Sequence, residues 1–190
     1  IKMQFKTLAF LSILSILFFT GCDSKDKNDN SNETNETKIE KVDKKTEFQL
    51  KSTDNTLLDV KIEGNNVVVK NYPNKIVLLN FFATWCPPCK AEIPNLIKLQ
   101  EDYKNDFVVI SVLLEEMKND EEIKAFMKDF GINYTVTNSS ENFDLAKNLG
   151  GIKSIPTMFL IEKNGNIFQK YVGLVPNEMM EIDIKKVLEK

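Results

Sequence analysis

The sequence contains one closely spaced pair of cysteines, Cys86 and Cys89, with Pro87 and Pro88 between them. The pair follows residues 76–82, a nearly continuous apolar run that predicts a strand buried on both faces. Prolines are tolerated in the first turn of a helix, so a helix is expected to begin at the pair. At a helix start, unpaired N–H groups and the helix dipole favour a thiolate. The spacing therefore predicts redox chemistry, with Cys86 as a solvent-facing nucleophile and Cys89 as the resolving thiol.

Two structural interpretations of the pair compete with redox chemistry. A disulfide used only as a staple gains little stabilisation, because a two-residue loop removes little chain entropy. A zinc site needs further ligands, and the chain has no second CxxC motif and no histidine. The missing histidine also excludes Ser-His-Asp and Cys-His catalysis. Redox activity is the favoured interpretation, with no metal and no cofactor.

The two prolines also affect the expected chemistry of the first sulfur. Pro87 and Pro88 have no N–H groups, which leaves chiefly the Cys89 amide to stabilise a thiolate at Cys86. We expect this thiolate to be less stabilised than in a strongly oxidising dithiol. The proline pair alone leaves both directions of electron flow open.

The start of the chain has the pattern of an export signal. Lys2 and Lys6 precede an apolar run over residues 8–19, which is short for a membrane-spanning helix and ends at Thr20-Gly21-Cys22. This pattern resembles a bacterial lipoprotein signal, in which Cys22 would carry the lipid. An uncleaved N-terminal anchor is the alternative. Both interpretations predict a domain outside the cytoplasm and attached to a membrane.

Composition divides the rest of the chain into a tether and one domain. Residues 23–45 are rich in Asp, Asn, Ser, Glu, Thr and Lys, and such a segment cannot bury enough apolar surface to fold. The expected organisation is therefore a signal peptide over residues 1–22, a disordered tether over 23–45 and a domain over 46–190. The net charge is −3, with 25 basic residues scattered among 28 acidic ones, so no nucleic-acid binding is predicted.

The pattern of the domain predicts an α/β fold. Alternating residues between 48 and 69, with a turn at Gly64, predict an N-terminal β-hairpin. Strands and helices then alternate, and Asn164-Gly165 marks a final antiparallel hairpin before a last helix. The predicted strands span 76–82, 107–114, 134–136, 157–161 and 166–171, and the later helices span 120–130, 142–149 and 177–188. Together they predict a central mixed sheet flanked by helices.

The segment from Phe81 to Pro94, FFATWCPPCKAEIP, resembles the active-site segment of TlpA/ResA-like extracytoplasmic proteins of the thioredoxin superfamily. The resemblance extends from about Phe48 to the C-terminus and includes an inserted strand-helix stretch over 108–136 and the motif Ile155-Pro156-Thr157. It implies a thioredoxin-like fold and a membrane-anchored thiol-disulfide oxidoreductase.

The resemblance also implies roles for four further residues. Pro156 matches a cis-proline opposite the dithiol, which would leave the Ile155 backbone free to pair with an extended substrate. Glu92 matches an acid near the dithiol that would accept the proton of Cys89 if burial raised its pKa; a surface glutamate is the alternative. Trp85 would flank the nucleophile on a docking surface, or else pack in the core.

The partners implied by the resemblance are protein disulfides, a membrane thiol-disulfide electron donor and, through the lipid anchor, the membrane. An oxidised CxxCH pair in an apocytochrome c is one implied substrate, and copper-handling proteins are others. The implied location is the periplasmic face of the inner membrane. The alternative function is a non-catalytic module that binds a protein or Cu(I).

Overall fold

A computed structural model describes residues 45–116 and 118–190. The predicted signal over 1–22, with Cys22, and the predicted tether up to residue 44 lie outside the described residues. Within the described ranges, no helix is both long enough and apolar enough to cross a membrane.

The described residues form eight strands and four helices, which alternate along much of the chain. In chain order they are β1 (Glu47–Lys51), β2 (Leu57–Glu63), β3 (Asn66–Val69), β4 (Ile76–Phe82), α1 (Pro87–Asp102), β5 (Phe107–Leu113), α2 (Asp120–Phe130), β6 (Thr135–Thr137), α3 (Glu141–Asn148), β7 (Thr157–Ile161), β8 (Ile167–Val172) and α4 (Asn177–Leu188).

Strand β4 lies at the centre of a five-stranded mixed sheet with the order β6-β5-β4-β7-β8. It pairs in parallel with β5 and antiparallel with β7. All seven residues of β4 are buried. This explains its nearly continuous apolar run, which only Asn80 interrupts, because a strand covered on both faces has no solvent side to keep polar.

The two faces of the central sheet are covered by different elements. Val77, Leu79 and Phe81 of β4 pack in a cluster with the N-terminal sheet and with Leu145 of α3. On the other face, Leu78 and its neighbours pack with buried residues of three helices: Leu96 and Leu99 of α1, Ile123 of α2, and Met180, Ile184 and Val187 of α4. The site-bearing helix α1 therefore rests on the central sheet through its own apolar side.

The N-terminal region is a three-stranded antiparallel sheet, β1-β2-β3, and extends the predicted hairpin by one strand. Phe48 and Leu50 of β1 alternate with exposed residues and lie in the same cluster as Leu58 and Val60 of β2. Their burial against the central sheet adds β1 to the hairpin.

The predicted α/β fold with a central mixed sheet and an inserted strand-helix element is confirmed. Most predicted boundaries agree with the structure to within one residue. Strand β8 begins at Ile167 rather than Asn166, whose N–H donates to the Asn164 side chain (2.9 Å) and which forms an isolated bridge with Asn66.

Candidate active site

The cysteine pair lies where β4 passes into α1. Cys86 is the N-cap residue of α1, and Pro87 and Pro88 occupy the first two helical positions. Cys86 and Cys89 are joined by a disulfide bond, with their Cα atoms 5.3 Å apart. The helix start therefore brings the two sulfurs together, as the spacing predicts.

The sulfur of Cys86 has few polar neighbours. It accepts one hydrogen bond, from the Cys89 N–H at 3.3 Å. The carbonyl oxygen of Ile155 lies 3.7 Å from the same sulfur. The expectation that chiefly the Cys89 amide donates to the Cys86 sulfur at the helix start agrees with this geometry, since the two prolines supply no N–H.

The prediction that the Cys86 side chain lies near solvent is wrong for the disulfide-bonded protein. Cys86 is 2% exposed and Cys89 is 3% exposed. The physical reason is packing: Cys86 belongs to a core cluster, and the Ile155 carbonyl oxygen lies 3.7 Å from its sulfur. The sequence around Cys86 does not predict this burial, because Ile155 is 69 residues away from Cys86 in sequence.

The Ile155–Pro156 peptide bond is cis, which confirms the geometry implied for Pro156. Its position follows from strand pairing, because Thr157 lies opposite Phe81 in the β4-β7 ladder. The turn before β7 is held by a hydrogen bond from the Thr157 hydroxyl to the Ser154 carbonyl (2.7 Å). Pairing with the last residues of β4 thus brings Ile155 and Pro156 beside the disulfide.

Glu92 lies one helical turn after Cys89 and is fully buried. Its Oε2 accepts a hydrogen bond from the Val175 N–H (3.0 Å), and its Oε1 accepts one from the Asn95 side chain (3.3 Å). Burial raises the pKa of the Glu92 carboxyl above its ordinary value, while these two donors act in the opposite direction. The alternative of a surface glutamate is excluded by this burial.

Trp85 is 66% exposed, so the alternative that it packs in the core is wrong. The backbone just before it is fixed by Glu115, whose carboxylate accepts from the Thr84 N–H at 2.6 Å. Glu115 follows β5, which runs parallel to β4. The tryptophan is therefore an exposed ring on a backbone that is held in place.

Three groups at the site were missed by sequence reasoning: Glu115, Asn95 and the Val175 N–H. The sequence could have indicated Glu115, because it follows a predicted strand and the carboxyl ends of neighbouring parallel strands meet at one edge of a sheet. It could also have indicated Asn95, which lies three residues after Glu92 on the same predicted helix. No sequence feature could have indicated the Val175 N–H, because nearly every residue type has a backbone N–H.

Within the described part of the chain, no group of three or more Cys, Asp or Glu residues is arranged to hold an ion.

A disulfide at the start of a helix, beside a cis-proline and on a five-stranded mixed sheet, defines a thiol-disulfide protein of thioredoxin-like fold. Residues 41–188 match the model of the Redoxin family, and the chain belongs to this family.

Relatives and solved structures agree with this assignment. The chain is 33% identical over 126 residues to the thiol-disulfide oxidoreductase ResA of Bacillus thuringiensis subsp. konkukian, which covers 66% of this chain and 71% of the relative. It is 29% identical to a thioredoxin-family thiol:disulfide interchange protein of Chlorobium tepidum, with a TM-score of 0.58 over 75% of this chain and 94% of the other. The fold is shared with StoA of Bacillus subtilis, at 22% identity and a TM-score of 0.57 over 72% and 95% of the two chains. The protein is a TlpA/ResA-like thiol-disulfide oxidoreductase.

The buried carboxyl predicts a specific pH dependence of stability. A carboxyl whose pKa is raised by folding stabilises the folded state when it is protonated. This stabilisation is fully present below the pKa of the unfolded chain, about 4.3, and is lost as the pH rises through the higher pKa of the folded protein. Glu92→Gln keeps the shape of the side chain and cannot ionise. With the disulfide intact, we expect the free energy of unfolding of Glu92→Gln to increase relative to that of the wild type as the pH rises from 4 to 8, as measured by denaturant titration.

The matched control is Glu116→Gln, which changes an exposed carboxylate outside the site. A difference between Glu92→Gln and wild type that stayed constant from pH 4 to pH 8 would contradict the raised pKa of Glu92.

Proposed function

We propose that the protein reduces protein disulfides outside the cytoplasm, with Cys86 as the nucleophile and Cys89 as the resolving thiol. The observation that carries the direction of electron flow is the polar environment of the Cys86 sulfur, which has one N–H donor at 3.3 Å and a carbonyl oxygen at 3.7 Å.

This environment favours a reductant because strongly oxidising dithiols owe their potential to a stabilised reduced form. Such stabilisation comes from donors around the nucleophilic thiolate, and here the first two helical residues have no N–H to give. The Ile155 carbonyl acts in the same direction, since an acceptor near the sulfur favours the protonated thiol over the thiolate. The Cys86 thiolate therefore gains little stabilisation from its surroundings. The dithiol then gives up its electrons more readily than a strongly oxidising dithiol does.

The proposed reaction transfers two electrons in two exchange steps. The Cys86 thiolate attacks one sulfur of the substrate disulfide, forms a mixed disulfide and releases the other substrate sulfur as a thiolate. The Cys89 thiolate then attacks the Cys86 sulfur, closes the Cys86–Cys89 disulfide and releases the second substrate thiolate. The substrate gains two thiols on protonation, and a dithiol donor returns the protein to its reduced form.

Glu92 supplies the proton acceptor for the second step. Cys89 is buried and must lose its proton before it attacks, and Glu92 lies one turn away on the same face of α1. A carboxyl with a raised pKa takes a proton from a thiol more readily than an ordinary glutamate does.

The docking surface for the substrate is formed by Trp85, Ile155 and Pro156. Trp85 offers an exposed ring next to the nucleophile in sequence, and the carbonyl of Ile155, which precedes Pro156 through a cis bond, lies 3.7 Å from the Cys86 sulfur. An extended substrate segment laid along this backbone would bring its own sulfur to Cys86.

The proposed location is the outer face of the cytoplasmic membrane, with the domain attached through a lipid on Cys22 and a tether over residues 23–45. The lipoprotein-like pattern of residues 1–22 supports this. An oxidised CxxCH pair in an apocytochrome c is the proposed substrate, copper-handling proteins are further candidates, and a membrane thiol-disulfide protein is the proposed electron donor.

Removal of the resolving thiol is expected to trap substrates. In Cys89→Ala, Cys86 can form a mixed disulfide but no thiol remains to displace the partner. We expect partner proteins linked to Cys86 to accumulate in cells and to be released by dithiothreitol, as measured by non-reducing electrophoresis and mass spectrometry.

The double variant Cys86→Ala/Cys89→Ala is the control and should trap nothing. Adding Trp85→Ala to Cys89→Ala should lower the yield of trapped partners without changing stability by more than about 0.5 kcal/mol, because the ring is exposed. The absence of any trapped protein in Cys89→Ala would count against the proposed exchange with proteins.

The direction of electron flow is tested by restoring a donor at the helix start. N-cap side chains accept from the N–H of the second or third helical residue, and Pro88 is the second. Pro88→Ala is expected to add a hydrogen bond to the Cys86 thiolate and to raise the reduction potential by about 30 mV. The measurement is redox equilibration with glutathione or dithiothreitol.

Pro87→Ala is the matched control, because the N–H of the first helical residue is not a partner of the N-cap side chain. We expect the wild type and Pro87→Ala to lie nearer the thioredoxin value of about −270 mV than the DsbA value of about −120 mV. A wild-type potential at the oxidising end would overturn the assignment as a reductant.

The membrane attachment is tested at Cys22. The wild-type protein is expected in the membrane fraction and to incorporate radiolabelled palmitate, whereas Cys22→Ser should lose the label. A wild-type protein that takes up no lipid would contradict the proposed anchor at Cys22.

A further inference from the structure

The carboxyl of Glu92 is held by two donors of different kinds. One is the Val175 N–H in the segment between β8 and α4. That segment is itself fixed, because the Gly173 N–H donates to the Pro156 carbonyl at 2.8 Å. The other donor is the side-chain amide of Asn95, one turn further along α1 and half-buried. Only the second donor depends on the identity of a side chain.

The Asn95 amide opposes the effect of burial on Glu92. A buried carboxylate without donors is strongly disfavoured, and each N–H that it accepts favours the charged form. Within residues 45–116 and 118–190 no cation pairs with Glu92, so hydrogen bonds alone support its charge. Of the two, the Asn95 bond connects the buried carboxyl to the half-exposed side of α1.

Two other titratable groups in the described residues lie near Glu92: Cys89, on the preceding turn of α1, and Tyr134, in the segment before β6. The pKa of the Tyr134 hydroxyl is raised, mainly by its burial and also by the Glu92 carboxylate. Cys89 is in the disulfide, and a tyrosine hydroxyl of raised pKa stays neutral at physiological pH. Neither group changes its charge over the range in which Glu92 titrates in the oxidised protein.

We propose that Asn95 is a positioning residue that holds the Glu92 carboxylate ready to accept the Cys89 proton, and thereby sets the pH range in which the protein resolves mixed disulfides. This inference rests on the proposed role of Glu92 as proton acceptor. Asn95 acts through Glu92, to whose carboxyl its side-chain amide donates.

The first measurement is the titration of Glu92 itself, followed by carbon-13 NMR of labelled glutamate carboxyls in the disulfide-bonded protein, with Glu92→Gln used to assign the resonance. Asn95→Ala removes the donor and should shift the midpoint upward by about half to one pH unit. Asn95→Asp has nearly the same shape but places a second carboxylate beside Glu92, and should shift the midpoint further in the same direction.

Asn133→Ala is the matched control. Its side-chain amide also donates to α1, to the Ile97 carbonyl and to Glu101, both at 3.4 Å, but it does not contact Glu92. This variant should leave the Glu92 titration where it is in the wild type.

The second measurement is the rate of resolution. Reduced protein mixed with the aromatic disulfide DTNB releases one coloured thiolate when Cys86 attacks and a second when Cys89 resolves the mixed disulfide. We expect the rate of the second release to rise with pH, and its midpoint to shift upward in Asn95→Ala and Asn95→Asp by the same amount as the Glu92 titration. Asn133→Ala should keep the wild-type profile.

The two measurements separate failure of this inference from failure of the proposed function. If the Glu92 titration does not move in Asn95→Ala or Asn95→Asp, the role of Asn95 is overturned, whatever the rates do. If the titration moves and the resolution profile does not, Asn95 still sets the charge of Glu92, but Glu92 is not the proton acceptor. A parallel shift in both measurements supports both claims.

Discussion

The pairing of β4 on both of its edges is the constraint on which the site depends. Its parallel pairing with β5 and antiparallel pairing with β7 fix the end of β4, and therefore the start of α1, relative to the turn that precedes β7. All seven residues of β4 are buried, and they face two sides of the sheet. A one-residue shift of register would therefore turn every side chain to the opposite face of the sheet. Packing thus sets the 3.7 Å approach of the Ile155 carbonyl to the Cys86 sulfur.

Burial has opposite consequences for the two kinds of group in this site. For Glu92 it raises proton affinity, and the carboxyl is tolerated because each oxygen has a donor. For Cys86 it leaves a sulfur with one donor and a nearby acceptor. Both consequences arise from the same packing of α1 against the sheet and against the segment before α4.

The sequence was sufficient for features with a local signature. The apolar run of β4, the prolines at the start of α1 and the turn at Gly165 each follow from residue types within a few positions. The resemblance implied the cis bond before Pro156. The burial of Cys86 and the donor from Val175 were not predictable, because they depend on segments about 70 to 85 residues away in sequence. The alternating pattern from residue 48 was predicted as a hairpin, and its division into three strands was not, because β1 is buried only by the packing of segments that are distant in sequence.

The contrast between a buried disulfide and an exposed tryptophan bears on the kind of substrate. The sulfur of Cys86 is covered on one side by the Ile155 backbone, whereas Trp85 projects into solvent from a backbone that Glu115 holds. A ring of this size left 66% exposed is an apolar surface without a partner in the described residues. A small thiol gains no binding from this apolar surface. A polypeptide can cover the Trp85 ring while its extended backbone runs along Ile155. The arrangement therefore supports the proposed exchange with protein disulfides.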